Sequence, residues 1–267
     1  MLNVSIVLYN SDIKEVNSLI KVLRASSSVC DIFLVDNSEQ ENTTFDNLPV
    51  TYIFNGKNIG YGAAHNIAIR QTLAKNIPYH LVVNSDISFQ SESIGQLIDF
   101  MDNHKDIGSL MPKIFYPNKK IQYLCKLIPT PLDLFGRRFL PNKWMQKRIE
   151  RFELQQFGYN KVITVPYLSG CFMLLRSEAL KKVGLFDERF FMYPEDIDLT
   201  RRIREQYRTV FYPEVSVVHN HAQGSYKSKK LLWIHIINIV RYFNKWGWFC
   251  DNKRKQINAE TLNQFQN

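Results

Sequence analysis

Short apolar runs that close on polar residues and alternate with helix-like stretches constrain the first third of this chain more than any other feature. VSIVLY (4–9) has the pattern of a buried strand, and residues 12–24 follow with Ile13, Val16, Leu19, Ile20 and Leu23 at helical spacing. DIFLVD (31–36) and VTYIFN (50–55) predict a second and a third strand, and a helix is expected from about Tyr61 to Lys75. YHLVVNSD (79–86) predicts a fourth strand, with a helix over about 91–103. Strands alternating with helices argue for an α/β fold whose mostly parallel sheet is flanked by helices. At 267 residues the chain is long enough to bury a large core.

Open α/β sheets bind ligands at the carboxyl ends of their strands. Here the first strand ends at Tyr9-Asn10 and the second at Asp36-Asn37-Ser38. The third runs into Asn58-Ile59-Gly60-Tyr61-Gly62, and the fourth ends at Asn84-Ser85-Asp86. Asp or Asn after a strand is also ordinary turn chemistry. Four such ends together place a polar cluster at one edge of the sheet.

A second concentration of carboxylates lies in FMYPEDIDLTRRI (191–203), where Glu195, Asp196 and Asp198 follow Pro194. Proline and acidic residues favour a helix's first turn. Asp198 and Arg202 form an i,i+4 pair that can bridge on the surface. Leu199 and Ile203 mark the buried face; Asp196 sits at its edge and Ile197 points the other way. A carboxylate turned toward the protein body needs a partner or a task. The spacing leaves Asp196 open as either a helix start or a catalytic group.

Periodicity weakens between 113 and 161, where eleven Lys or Arg stand against three acids and Pro117, Pro129, Pro131 and Pro141 punctuate the chain. Residues 143–157 predict a basic amphipathic helix with Trp144, Ile149, Phe152 and Leu154 as its apolar side. SGCFMLLR (169–176) predicts a strand, SEALKKVG (177–184) a short helix, and TVFYPEVSVVHNH (209–221) two short strands ending in a His pair. The segment 229–249 is apolar over a wide helical face, with His235, Asn238, Arg241 and Lys245 as a polar stripe. These residues and Asn244 make it a poor transmembrane span. Its tryptophans and flanking Lys/Arg suit a helix lying in a membrane interface, and a helix packed on the core is the other reading. Its surroundings are basic too: residues 227–255 hold eight Lys or Arg and one acid, within a net charge of +9, so an anionic partner is expected. The four cysteines show no zinc or disulfide spacing, which fits a reducing cytosol. No basic n-region precedes the first strand, so no signal peptide is expected.

SIVLYN, VDNS (35–38), NIGYGAAHN (58–66), NSD (84–86), SGCFMLLR and GLFDERFFMYPEDIDLTRRI (184–203) occur in this order, with a late strand reaching His219. In this the chain resembles a family 2 glycosyltransferase of the GT-A fold, most nearly the rhamnosyltransferases of bacterial polysaccharide and O-antigen assembly. The resemblance covers roughly residues 3–225. It implies a GT-A domain over 1–225, with a nucleotide-sugar half (1–112) and an acceptor half (113–225), followed by a membrane-associating amphipathic segment (226–267). It implies that Asp36 accepts the ring N–H of the donor's base, and that Tyr9, Asn10, Asn58, Gly60, Tyr61, Asn66, Asn84 and Asp86 complete the nucleotide-sugar site. Gly60 and Gly62 would permit close backbone approach to the nucleotide. Asp86, with His219 rather than His221, would hold Mg²⁺ or Mn²⁺ on the diphosphate. One carboxylate is missing here, since Asn84 stands where the usual Asp-x-Asp pair has its first Asp. Asp196 would be the general base, assisted by Glu195, which also helps place the acceptor. Ser169 and Gly170 would floor the acceptor site. The implied partners are a nucleotide-diphospho-sugar donor, a polyprenyl-diphosphate-linked glycan acceptor and the cytoplasmic face of a bacterial inner membrane, with no nucleic acid.

Two other classes are weighed. A sugar nucleotidyltransferase would carry a Gly-rich basic loop after the first strand, and YNSDIKE (9–15) has no glycine. A non-catalytic membrane- or nucleic-acid-binding module would need the positive charge but not the polar cluster at the strand ends.

Overall fold

A computed structural model describes residues 1–136, 140–220 and 229–265. Strand β1 (Leu2–Leu8) leads into α1 (Ile13–Arg24), which buries Val16, Leu19, Ile20 and Leu23 and is capped by Asp12 accepting from Lys14 N. β2 (Val29–Asp36), β3 (Thr51–Phe54), α2 (Tyr61–Ala74), β4 (Tyr79–Val83), β5 (Ile87–Ser88), α3 (Glu92–Asn103) and β6 (Ile107–Phe115) follow. The irregular middle of the chain contributes β7 (Cys125–Lys126), α4 (Asn142–Phe152), β8 (Ile163–Thr164) and β9 (Tyr167–Leu168). β10 (Phe172–Arg176), α5 (Ser177–Val183), α6 (Pro194–Arg204) and β11 (Arg208–His219) complete the sheet region, and α7 (Lys229–Trp246) and α8 (Asn252–Asn263) close the chain.

Among the described residues the main sheet has nine strands, in the order β3-β2-β1-β4-β10-β6-β11-β5, with β8 beside β11. The first four strands are parallel, as their alternation with helices requires. β10 then enters antiparallel, pairing Phe172 with Val83 of β4 and Leu174 with Leu110 of β6. This insertion fixes the site. An antiparallel strand presents its amino end where its neighbours present their carboxyl ends, so Ser169-Gly170 arrive beside Asn84. Asn84 N donates to Cys171 O at 3.0 Å. β11 runs parallel to β6, hence parallel to β4, and delivers His219 to the same edge.

Local expectations fail in three places, each for a physical reason. The predicted pair of strands over 209–221 is one strand, and its register against β6 shifts between Tyr212 and Ser216. Pro213 lies there and has no N–H to offer a ladder. His221 lies outside the described residues. The predicted helix over 143–157 stops at Phe152, because Leu154 adopts the left-handed conformation (φ 50°). It buries Met145 together with the expected Phe152, and Trp144 is exposed. The third failure is at α6, whose helix is buried on almost every side. Ile197 packs with Phe190 against Ile239, Tyr242 and Phe243 of α7. The Asp198–Arg202 pair forms at 2.9 Å, but not on the surface: Asp198 is fully buried and also meets Lys245 Nζ (2.6 Å) and Trp246 Nε1 (2.8 Å) from α7. The second half of α7 is therefore packed on the core. In its first half Trp233 and Ile237 stay 65% and 48% exposed. No described helix is long and apolar enough to cross a membrane.

Candidate active site

Asp196 sits in the first turn of α6 and is 8% exposed. Its Oδ2 accepts from Gly170 N at 2.9 Å and from the Tyr167 hydroxyl at 3.4 Å, and its Oδ1 accepts from Ile197 N at 2.8 Å. Burial pushes its pKa up to about 6, against the pull of the two backbone N–H groups and the charge of Lys126. Glu195 is buried beside it, and burial together with the Asp196 charge holds its carboxyl well above the usual range. Glu195 Oε2 meets no hydrogen-bond partner among the described residues. A neutral acid and a carboxylate with a near-neutral pKa, side by side, form an arrangement suited to proton transfer.

Both face a cavity of about 360 Å³. Tyr61, Ser169 and Gly170 line it on the sheet side, Lys126 comes from β7, and His235 and Ile239 come from α7. Sequence reasoning found neither Lys126 nor His235 as a site residue. Lys126 sits in a stretch without period, and the antiparallel pairing of β7 with β9, which sets it opposite Tyr167, brings it in.

At the neighbouring strand ends, Tyr61 joins the two halves of the site. Its hydroxyl is a shared donor to Asn84 Oδ1 and Gly170 O, each at 2.8 Å. Asp36 is buried at the end of β2, where Oδ1 accepts from Ser38 N (2.8 Å) and Oδ2 from the Tyr52 hydroxyl (2.9 Å). A carboxylate has about four lone-pair sites, so two remain for a ligand donor. Tyr9 is exposed, and Asn10 takes a left-handed conformation (φ 51°), with its N–H on Ser38 Oγ. Asn58 Oδ1 accepts from Gly60 N at 3.0 Å and from Asn37 Nδ2 at 3.3 Å.

The loop glycines and Asn66 also bind the protein to itself. Gly60 has φ 96°, and a Cβ there would stand 2.6 Å from Phe191 O. A Cβ on Gly62 would stand 2.8 Å from that of Phe186. Both glycines therefore allow close packing against the segment leading to α6. Asn66 is buried and exchanges three hydrogen bonds with that segment: it donates to Phe186 O and Glu188 Oε1 (2.9 Å each) and accepts from Phe186 N (3.1 Å). These bonds clamp α2 to that segment.

Asp86 Oδ1 and His219 Nε2 lie 3.3 Å apart, brought together because Ile87 pairs with His219 across β5 and β11. Burial opposes charge on His219, but hydrogen bonds to Asp86 and Cys171 outweigh it and push the pKa up to about 10. His219 Nδ1 donates to Gln122 Oε1 at 3.0 Å, and Gln122 Nε2 donates back to His219 O at 2.8 Å. This orients Nε2 toward Asp86, and a metal bound there would displace the Nε2 proton, because a ligating imidazole must be neutral. Gln122 carries no signal in the sequence. Among the described residues no group of three His, Cys, Asp or Glu converges on one point. The donor set nevertheless fits a hard divalent cation that takes most of its ligands from substrate phosphate and water.

The family model for Glycosyl transferase family 2 matches residues 4–184, ending before Glu195. An N-acetylglucosaminyl-diphospho-decaprenol L-rhamnosyltransferase of Mycobacterium tuberculosis (strain ATCC 25618 / H37Rv) is 29% identical over 213 residues, which are 73% of this chain and 67% of that protein. The dTDP-rhamnosyl transferase RfbF of Shigella flexneri is 27% identical over 237 residues, 86% of this chain and 72% of its own length. Among solved structures, GalNAc-T7 with UDP, GalNAc and Mn²⁺ superposes with a TM-score of 0.60 at 14% identity, over 82% of this chain and 42% of that one. The family model spans more than half of the chain, and with these relatives it shows that the chain belongs to glycosyl transferase family 2 and is a hexosyltransferase of the GT-A fold.

Proposed function

We propose that the chain transfers L-rhamnose from dTDP-L-rhamnose, with inversion, to a glycan carried on a polyprenyl diphosphate during bacterial cell-surface polysaccharide synthesis. The observation that carries this is Asp196, a buried carboxylate held by Gly170 N and Ile197 N on a cavity that Tyr61, Asn84 and His219 also line. In this reading the acceptor hydroxyl lies in the cavity and attacks the anomeric carbon on the face opposite the leaving group. Asp196 takes the hydroxyl proton as the new C–O bond forms. The bond from the anomeric carbon to the β-phosphate oxygen breaks, and the nucleoside diphosphate leaves with the electron pair. Glu195 stays protonated and donates to a sugar hydroxyl. Asp36 accepts the base N–H, and the exposed ring of Tyr9 lies beside it. Asp86 and His219 would hold Mg²⁺ or Mn²⁺, which offsets the charge of the departing diphosphate.

The relatives' names support the donor and acceptor, since one specifies a diphospho-decaprenol acceptor and the other a dTDP-rhamnosyl donor. The exposed Trp233 and Ile237, one turn apart on a helix in a Lys/Arg-rich stretch, support seating on an anionic membrane surface at the cytoplasmic face. The test is a screen of dTDP-rhamnose, UDP-hexoses and GDP-mannose with a synthetic GlcNAc-diphospholipid, with the product read by mass. Addition of one deoxyhexose from dTDP-rhamnose is expected. Transfer from a UDP-hexose alone would move the donor assignment to that class, which Asp36 accepts equally because uracil offers the same N–H.

A further inference from the structure

The residue that feeds the acid pair has an unusual backbone. Tyr193, immediately before Pro194, has φ 91° and ψ −79°, and the helix it opens has no side-chain cap. A non-glycine residue in such a conformation costs on the order of 1–3 kcal/mol and persists only where its surroundings hold it. Two neighbours hold it. On the donor side, Tyr61 N donates to Phe191 O at 2.9 Å, directly below the tight Gly60 contact. On the other side stands α7. Asn238, 1% exposed, donates from Nδ2 to Met192 O at 3.0 Å. Its Oδ1 accepts from Arg241, which also donates to Arg189 O at 2.7 Å, and the His235 ring lies 4.4 Å from the Tyr193 ring.

From this geometry we infer that Asn238 is a positioning residue for the base: by fixing Met192 O it holds the strained Tyr193 and so aims Asp196 at the acceptor hydroxyl. The inference rests on the transfer chemistry proposed above. Asn238 touches neither the cavity nor the nucleotide edge, so its effect passes entirely through the turn. Small displacements of a reacting group are costly, and a 1 Å misplacement costs about 10²-fold in rate. Within the polar stripe on α7, Asn238 is then the inner member, and the exposed Arg241 reaches the same segment from the solvent side.

The test is Asn238→Asp, nearly isosteric but lacking the donor, together with Asn238→Leu. Amide exchange in the full-length protein is followed by mass spectrometry over peptides spanning 189–197, with the α1 peptide as internal reference. Exchange in 189–197 at least tenfold faster in both variants, with α1 unchanged, is expected. Unchanged exchange overturns the inference whether or not the donor and acceptor have been identified. On the substrate pair the wild type turns over, kcat should fall at least tenfold while the nucleotide Kd stays within about twofold. Faster exchange with an unaltered kcat also overturns it. A wild type that transfers no sugar sinks the proposed function, and leaves the exchange measurement to decide the positioning on its own.

Discussion

The buried pair Arg201–Asp251 yields the most quantitative prediction. Arg201 lies on α6, one turn beyond the acid pair, and its guanidinium meets Asp251 through two parallel hydrogen bonds of 2.8 Å. The two side chains are 2% and 4% exposed, and the Trp246 ring covers the guanidinium at 4.0 Å. Asp251 also caps α8 by accepting from Arg254 N at 2.9 Å. Replacing Asp251 with Ala strands a buried cation, at a cost of about 3–5 kcal/mol. The lost cap adds about 1 kcal/mol. A total of about 4–6 kcal/mol is a large share of a stability that is typically about 5–15 kcal/mol. With a urea m-value of about 3 kcal/mol/M, the midpoint should fall by about 1.3–2 M. The double variant Arg201→Met with Asp251→Ser removes the stranded charge and keeps a capping oxygen, so it should recover most of the loss. Urea unfolding followed by tryptophan fluorescence measures both. A single-variant loss under about 1 kcal/mol, or a double variant no better than the single, would falsify the reasoning.

Three further outcomes are expected. Asp196→Asn should lower kcat by about 10²–10⁴-fold with nucleotide affinity unchanged, and because the base must be ionised, wild-type kcat/KM should rise as pH increases through about 6; a folded variant with near-normal turnover refutes the assignment. His80, buried neutral with Nε2 on Ser5 Oγ and Nδ1 on Thr72 Oγ1, has its pKa lowered from 6.5 to about 3 by burial. The unfolded chain therefore binds a proton that the folded chain refuses: stability is full above pH 6.5 and should fall by about 2–3 kcal/mol by pH 4.5, with the raised Glu195 and Asp196 working in the opposite direction. Denaturation of His80→Gln across that window should give a flatter profile, and an identical slope would discount the histidine. Finally, calorimetry with Mn²⁺ and the nucleoside diphosphate should show metal binding abolished in Asp86→Ala and weakened about 10–100-fold in Gln122→Met; full transfer activity in excess EDTA would count against a metal at this site.

The elements of the first ninety residues were legible in the sequence because each depends on neighbours in the chain: strand runs, helical spacing and the polar ends after them. Asp196 was half legible. Its place at the edge of the apolar face is local, but its burial needs α7, which covers the side that Ile197 seemed to leave open. The polar stripe His235–Asn238–Arg241–Lys245 was visible and its orientation was not, since periodicity does not say whether polar groups meet water or the carbonyls of a buried turn. Gln122 and Lys126 were invisible, because only pairings distant in sequence bring them to the site. The packing role of Gly60, Gly62 and Asn66 was not visible in the sequence. Their constraint comes from Phe186, Glu188 and Phe191, more than a hundred residues later.

β10 carries a mechanical consequence. This strand supplies the approach to Gly170 and is hydrogen-bonded on both sides to strands from earlier in the chain, β4 on one side and β6 on the other. Among the described residues, the strands that carry the polar ends and the strand that leads from Gly170 thus belong to one continuous ladder. Substrate entry must then be regulated by the segments hung from the sheet edge, while the sheet itself stays rigid. Small-angle scattering of the free and donor-saturated protein should give the same radius of gyration, and bound substrate should register in loops and side chains alone.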